Sequence, residues 1–312
     1  MSKRRARRRQ APNPLVPFLL ILIAAAAGWY LLRPLGHHGA HTTLAEHPSP
    51  TPSAAAVPSS GTTASPTPQE TAVPSLTPSP SSTPSATPAA APGGAKLALI
   101  IDDCGQWLPI ERGFIALHVP LTLSVLPDVH GTAIIAREAH DAGKGVMLHL
   151  PMETVSGLYP GPGEVTTEMT NEQVRAQVES DLAQVPLAQG VNNHEGSKAS
   201  ADKRVMRDVM DVLANHGGLF FVDSRTTAAS VGSQMATAAG VATASRDVFL
   251  DNKDRVAYTE RQLREAAAIA ERTGSAIAIG HPRQSTLDAV RDMIPQLQAQ
   301  GITFVLAGSL TH

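Results

Sequence analysis

Asp102 and Asp103 stand side by side at the end of an apolar run (KLALIIDD), and five later segments carry residues of the same chemical kind. His149 and Glu153 lie in HLPME, and Asn192, Asn193, His194 and Glu195 in GVNNHEGS. Asp223, Ser224 and Arg225 close GLFFVDSR, Asp251 and Asn252 follow VFL, and His281 follows AIAIG. The set is made of carboxylates, imidazoles and amides, with one basic side chain. Metal-assisted hydrolysis uses such a set. A divalent metal takes imidazole and carboxylate ligands with a position left open for water, and it makes water a usable nucleophile near neutral pH. A further carboxylate can act as general base and a histidine as general acid. Structural roles stand beside these. Asp102 or Asp103 can cap a following helix, His149 can be a satisfied core histidine, His194 a loop residue and His281 part of a turn. Asp223 can orient loops through Arg225. Cys104, the single cysteine, reads as a small buried residue because no basic neighbour activates it.

These residues need elements that bring them together. Short apolar runs at Lys96–Asp103, Pro120–Leu126, Gly145–Leu150, Gly218–Asp223, Ala276–Gly280 and Ile302–Leu306 read as buried strands, with a short one at Val248–Leu250 and an apparent strand before NNHE. Helical periodicity fills the gaps at Ala133–Ala142, Asn171–Gln184, Asp202–Asn215, Tyr258–Arg272 and Leu287–Gln300. Thr170 with Gln173 has capping-box spacing, and Gly217, Gly274 and Gly301 supply stops. Repeated strand–helix units imply parallel strands with right-handed crossovers. In such folds sites lie at the carboxyl ends of the strands, where these polar residues fall. The expected fold class is α/β, a distorted or incomplete β/α barrel, with an open doubly wound sheet as the alternative.

That domain covers residues 96–310. Before it, Lys3, Arg4, Arg5, Arg7, Arg8 and Arg9 make residues 1–14 a basic tail. The apolar run of residues 15–32 would rise about 27 Å as a helix, enough to cross a hydrocarbon core of about 30 Å. Trp29 and Tyr30 sit at its far end, where an aromatic belt lies. The run is longer than a signal-peptide core and no small-residue cleavage site follows. The expectation is one inner-membrane span with a cytoplasmic tail and everything beyond it extracytoplasmic or periplasmic. Residues 33–95 repeat Pro, Ser, Thr and Ala and read as a disordered spacer with a reach of roughly 40–45 Å. A net charge of -2 with no basic face beyond the tail gives no sign of nucleic-acid binding. No glycine-rich dinucleotide fingerprint or P-loop is present, so nucleotide binding has no support either.

IIDDCG, HLPME, the Gly161-Pro162-Gly163 turn, NNHEGS, FFVDSRT, FLDN and IGHP, in that order, resemble the divergent polysaccharide deacetylases, relatives of the NodB-type carbohydrate esterases. The resemblance covers residues 96–310 and implies a distorted β/α barrel. It also implies a divalent metal, zinc first among the candidates, and hydrolysis of N-acetyl groups on an envelope polysaccharide or peptidoglycan. It further implies Asp102 as base, Asp103 and His149 as metal ligands, His281 as the catalytic histidine and Asp223 as the acid that orients it. The wider group has a second histidine four residues after the first. Here Glu153 occupies that place, which leaves His194 as the replacement ligand and Glu153 as a ligand or a supporting group. The same departure admits a second reading, a glycan-binding or envelope-organising protein with a degenerate site. A tethered enzyme would need its spacer to reach an insoluble polymer. Shortening residues 33–95 by half should weaken cellular function while acetate release from a soluble glycan stays within about twofold. Equal loss in both assays would refute the spacer role.

Overall fold

The computed structural model describes residues 94–312; the expected tail at 1–14, the span at 15–32 and nearly all of 33–95 lie outside the described residues. Among the described residues no helix is long and apolar enough to cross a membrane.

The strands are β1 (Ala95–Cys104), β2 (Thr122–Val125), β3 (Gly145–Met152), β4 (Gly190–Glu195), β5 (Phe220–Asp223), β6 (Thr243–Ser245), β7 (Val248–Phe249), β8 (Ser275–Gly280) and β9 (Ile302–Val305). The helices are α1 (Leu108–Ile115), α2 (Thr132–Asp141), α3 (Asn171–Gln184), α4 (Lys203–His216), α5 (Gly232–Ala239), α6 (Val256–Thr273) and α7 (Gln284–Ala299). Every strand pairing is parallel, in the order β6-β5-β4-β3-β2-β1-β8-β7, with β9 on the lower half of β1. β6 and β7 occupy opposite ends of that order, yet only Arg246 and Asp247 separate them in the chain. Ser245 and Val248 are three residue steps apart, which span roughly 11 Å at most, so the sheet has to curl until its edges come close. The result is the expected incomplete barrel, a curled half-barrel that stays open between β6 and β7.

The apolar strands expected from sequence are all present, and α3 starts with the expected box: Thr170 accepts from Gln173 N, and the Gln173 side chain accepts from Thr170 N. Sequence reading missed α1, α5 and β6. α1 and α5 are eight residues each and too short for a periodic signal to stand out. β6, with the sequence TAS, has no bulky residue to mark it.

Strand residues alternate between the two faces of the sheet. In β1, Leu97, Leu99 and Ile101 join the large outer core, together with Leu263, Ala266 and Ala270 of α6 and Val290, Met293 and Leu297 of α7. Each fully buried Leu, Ile or Val contributes about 1.5–3 kcal/mol. Ala98 and Ile100 point the other way, into a small inner core with Met147, Phe220, Val222, Ile277, Ile279 and Ala307. Ala307 belongs to a 3-10 turn (Ala307–Leu310) that closes the lower end of the barrel, and its N–H donates to Thr122 Oγ1 at 3.1 Å. The backbone of His312 exchanges hydrogen bonds with Thr243 and covers the β6 edge.

One buried acid outside the inner core carries a cost. Asp181 of α3 is fully buried, with Oδ1 accepting from Gln177 Nε2 at 2.9 Å and Oδ2 lacking a partner among the described residues. The Gly161-Pro162-Gly163 turn lies against it. Gly163 holds φ +85°, and a Cβ there would come within 2.7 Å of Asp181 Oδ1. Burial pushes the carboxyl up to about 7, with the Gln177 bond opposing and the Asp128 charge adding. The folded chain therefore keeps this proton across a range, from about pH 4 to 7, in which the unfolded chain has lost it. Its contribution to stability is complete below pH 4 and declines as pH rises to 7. Asp181→Asn should remove that decline and raise stability at pH 8 by about 2–4 kcal/mol relative to the parent, against about 1 kcal/mol or less at pH 4.5. Thermal unfolding midpoints at the two pH values check this, and a variant with an unchanged pH slope would refute it.

Candidate metal centre and its acid–base groups

The alternation that builds the inner core also builds the site. Continue each inward column one step past its last apolar residue and a polar side chain appears. Ile100 is followed by Asp102, Met147 by His149, Val222 by Ser224 and Ile279 by His281, while β2 and β4 contribute Ser124, Asn192 and His194 on the same face. Register levels these residues. His149 pairs with Asn192 and Pro151 with His194, and Ile101 opposite Gly280 sets Asp102 level with His281.

By alternation Asp103 should face outward, away from Asp102. It does not, because the β1 register breaks between Ile101 and Cys104 and Asp103 takes φ +56°. Asp is among the few side chains that tolerate this left-handed conformation, and it brings both carboxylates to one side. Buried Glu111 of α1 stabilises the loop that follows: its Oε1 accepts from the N–H groups of Gly105, Gln106 and Trp107 at 2.9, 3.1 and 2.7 Å.

Asp103, His149 and His194 offer three ligand atoms that converge. Asp103 Oδ1 stands 2.9 Å from His194 Nδ1 and 3.2 Å from His149 Nε2, and the two nitrogens are 3.1 Å apart. These separations match the edge of a coordination tetrahedron, which is about 3.3 Å for bonds of 2.0–2.1 Å. Asp103 Oδ1 is buried and no donor is aligned on it, as expected of an oxygen that serves a cation. Two imidazoles and one carboxylate fit a zinc-type site, and three protein ligands leave the open position of a catalytic centre. Burial alone would raise the Asp103 carboxyl, but the close imidazoles of His149 and His194 hold it well below the usual range. His149, which burial alone would lower, is pulled up to about 8 by the charges of Asp102 and Asp103.

Asp102 is buried beside this cluster, with Oδ2 3.6 Å from His149 Nε2, and burial raises its carboxyl. Its hydrogen-bond donor is Asn192 Nδ2, at 2.9 and 3.1 Å from the two oxygens. His281 approaches from β8, its Nε2 3.8 Å from Asp103 Oδ2. Asp251, two residues past the end of β7, orients that ring: Oδ1 meets His281 Nδ1 at 2.9 Å, and Oδ2 accepts from His281 N and Thr286 Oγ1. Burial would lower His281, but the Asp251 bond and the neighbouring acids raise it.

One expectation is corrected, and one open alternative is narrowed. Asp223 does not hold His281. It shares the parity of Phe221 and turns toward α5, where Oδ2 accepts from Ser230 Oγ at 2.7 Å and Oδ1 from Arg225 N at 2.8 Å. Its bond to the Arg225 backbone fits the alternative role, ordering the loop after β5. Glu153 is not among the converging ligands. Its Oε2 accepts from Thr167 N and Oγ1, and its Oε1 pairs with Lys198 Nζ at 2.6 Å, so it ties the loop after β3 to the turn after β4. Sequence reading assigned no role to Asn192 or Asp251. Asn192 sits two residues before His194, the same-face spacing of a strand, and that spacing was the available signal.

The family model for the divergent polysaccharide deacetylases matches residues 99–311. The uncharacterised protein YibQ of Escherichia coli K12 is 35% identical over 217 residues, covering 70% of this chain and 67% of that protein. An uncharacterised protein of Haemophilus influenzae is 36% identical over 193 residues, covering 62% and 69%. The crystal structure of an uncharacterised protein from Agrobacterium tumefaciens C58 shares the fold with a TM-score of 0.66 at 22% identity, over 72% of this chain and 92% of that one. With a half-barrel of this topology and a family match running from the middle of β1 almost to the last residue, the chain belongs to the divergent polysaccharide deacetylase family.

Proposed function

We propose that this chain is a metal-dependent amidohydrolase that removes acetyl groups from N-acetylated envelope glycan, peptidoglycan first among the candidates. The observation that carries the reading is the meeting of three functions at one strand-end layer: a three-ligand metal cluster, a buried carboxylate beside it, and a histidine backed by an acid. Asp103, His149 and His194 would hold the metal, which when bound supplies Lewis acidity toward an acyl oxygen and toward water near neutral pH. Asp102 accepts a proton from the attacking water. As the C–N bond of the acetamide breaks, His281 Nε2 gives a proton to the departing amine, and Asp251 stabilises the imidazolium from the other ring nitrogen. Water and amide become acetate and a free amino sugar. The sequence of residues 15–32 supports placing this activity outside the inner membrane on a tether.

The test uses the full chain in detergent. Purified protein should carry about one divalent metal per chain, and chelation should abolish acetate release from N-acetylglucosamine oligomers or peptidoglycan fragments, with zinc restoring it. Asp102→Asn and His281→Ala should each lower turnover by about 10²–10⁴. Asp251→Asn should cost more than tenfold, whereas Asp223→Asn should cost less than threefold. Metal-free protein, or full activity in the Asp102 and His281 variants, would sink the reading. Glycan binding with no metal and no turnover would instead favour the degenerate, envelope-organising role.

A further inference from the structure

Asn192 is fully buried at the centre of the site, and its side-chain amide has hydrogen-bonding partners on three other strands and just past the end of a fourth. Its Oδ1 accepts from His149 Nδ1 at 2.9 Å on β3 and from Ser124 Oγ on β2. Its Nδ2 donates to Asp102 on β1, at 2.9 and 3.1 Å, and to Ser224 Oγ at 3.1 Å, just past β5. Neither serine fixes which way the amide points, because a hydroxyl can donate or accept. Asp102 does: both of its oxygens lie within hydrogen-bond reach of Nδ2, and a carboxylate placed to act as base offers only acceptors there, so Nδ2 faces it. Oδ1 is then left facing His149. An amide oxygen also only accepts, so the proton of a neutral His149 must sit on Nδ1. The lone pair of that ring is thereby placed on Nε2, the atom that joins Asp103 and His194 in the metal cluster.

We infer that Asn192 is a positioning residue that links the base to the metal ligand: one end holds Asp102 in place, and the other fixes the tautomer in which His149 can bind metal. The inference rests on the metal-dependent reading above and adds to it a division of labour within one side chain. The partner of a ligating histidine's second nitrogen commonly sets ring orientation and ligand basicity, and its loss costs about 10–100-fold in metal affinity.

The division makes two substitutions behave differently. Asn192→Asp keeps an acceptor for His149 Nδ1 but offers Asp102 a second carboxylate in place of a donor. Zinc affinity, measured on the full chain by competition with a chromophoric chelator, should stay within about fivefold of the parent, while acetate release falls at least 100-fold. Asn192→Ala removes both ends, and zinc affinity should also fall, by about 10–100-fold. Alanine leaves a space that water can enter, so its unfolding midpoint is read alongside. If that variant does not fold, the same-sized aspartate variant still decides. The inference is overturned if folded Asn192→Ala binds zinc as the parent does, if Asn192→Asp loses zinc, or if Asn192→Asp keeps more than a tenth of turnover. If the parent chain releases no acetate, the proposed substrate fails, and the zinc affinities alone decide whether Asn192 governs the ligand.

Discussion

Everything in this domain depends on the two-residue alternation of a parallel sheet curled so tightly that its inner face has room for little besides side chains. Below, that face is filled by Ala98, Ile100, Met147, Val222, Ile277 and Ile279. One step higher the same columns carry Asp102, His149, Ser224 and His281. Hydrogen-bond register keeps those steps level, so residues up to 179 positions apart in the chain meet without any loop having to deliver them. The site is therefore as stiff as the barrel, which suits a centre whose groups must hold separations of about 3 Å.

Such a layer brings an electrostatic problem with it. Asp102 and Asp251 are buried and Asp103 partly so, all around one small volume. Ionised carboxylates out of water are costly unless paired and hydrogen-bonded. The structure meets this with three imidazoles, with donors from Asn192 and Thr286 and with a ligand triad shaped for a cation. The left-handed backbone at Asp103 costs on the order of 1 kcal/mol, and it is what allows two sequence-adjacent acids to have different tasks in one place. Glu111, accepting from three successive backbone N–H groups, keeps the chain from relaxing out of that turn.

Strands dominated by Val, Ile and Leu were legible in the sequence because burial on both faces leaves continuous apolar runs. The helix beginning at Asn171 was legible through its capping pair. The convergence of Asp103, His149 and His194 could be anticipated as strand-end residues, together with the family resemblance. What could not be read was parity. Asp223 and Asp251 both follow short apolar strands and look equivalent as letters. Only the faces they occupy, one beside Phe221 toward α5 and the other toward His281, tell the loop-ordering acid from the imidazole-orienting acid. Glu153 stayed ambiguous for a related reason: its spacing from His149 fits a ligand, but Thr167 and Lys198 claim its oxygens. Asn192 went unassigned because an amide carries no charge by which its importance can be read from composition.

The parallel arrangement also gives the domain a front and a back. Strands that all run one way place every carboxyl end, and hence the whole reactive layer, on one face. Ala95 enters β1 at the opposite face, where the turn at Ala307–Leu310 seals the floor. Any chain that precedes Gly94 thus joins the domain from behind, like a handle fixed to the base of a cup. The entry of the chain into β1 therefore leaves the reactive face free of the domain's own first strand turn, so the mouth of the cup is lined by strand ends and their loops alone.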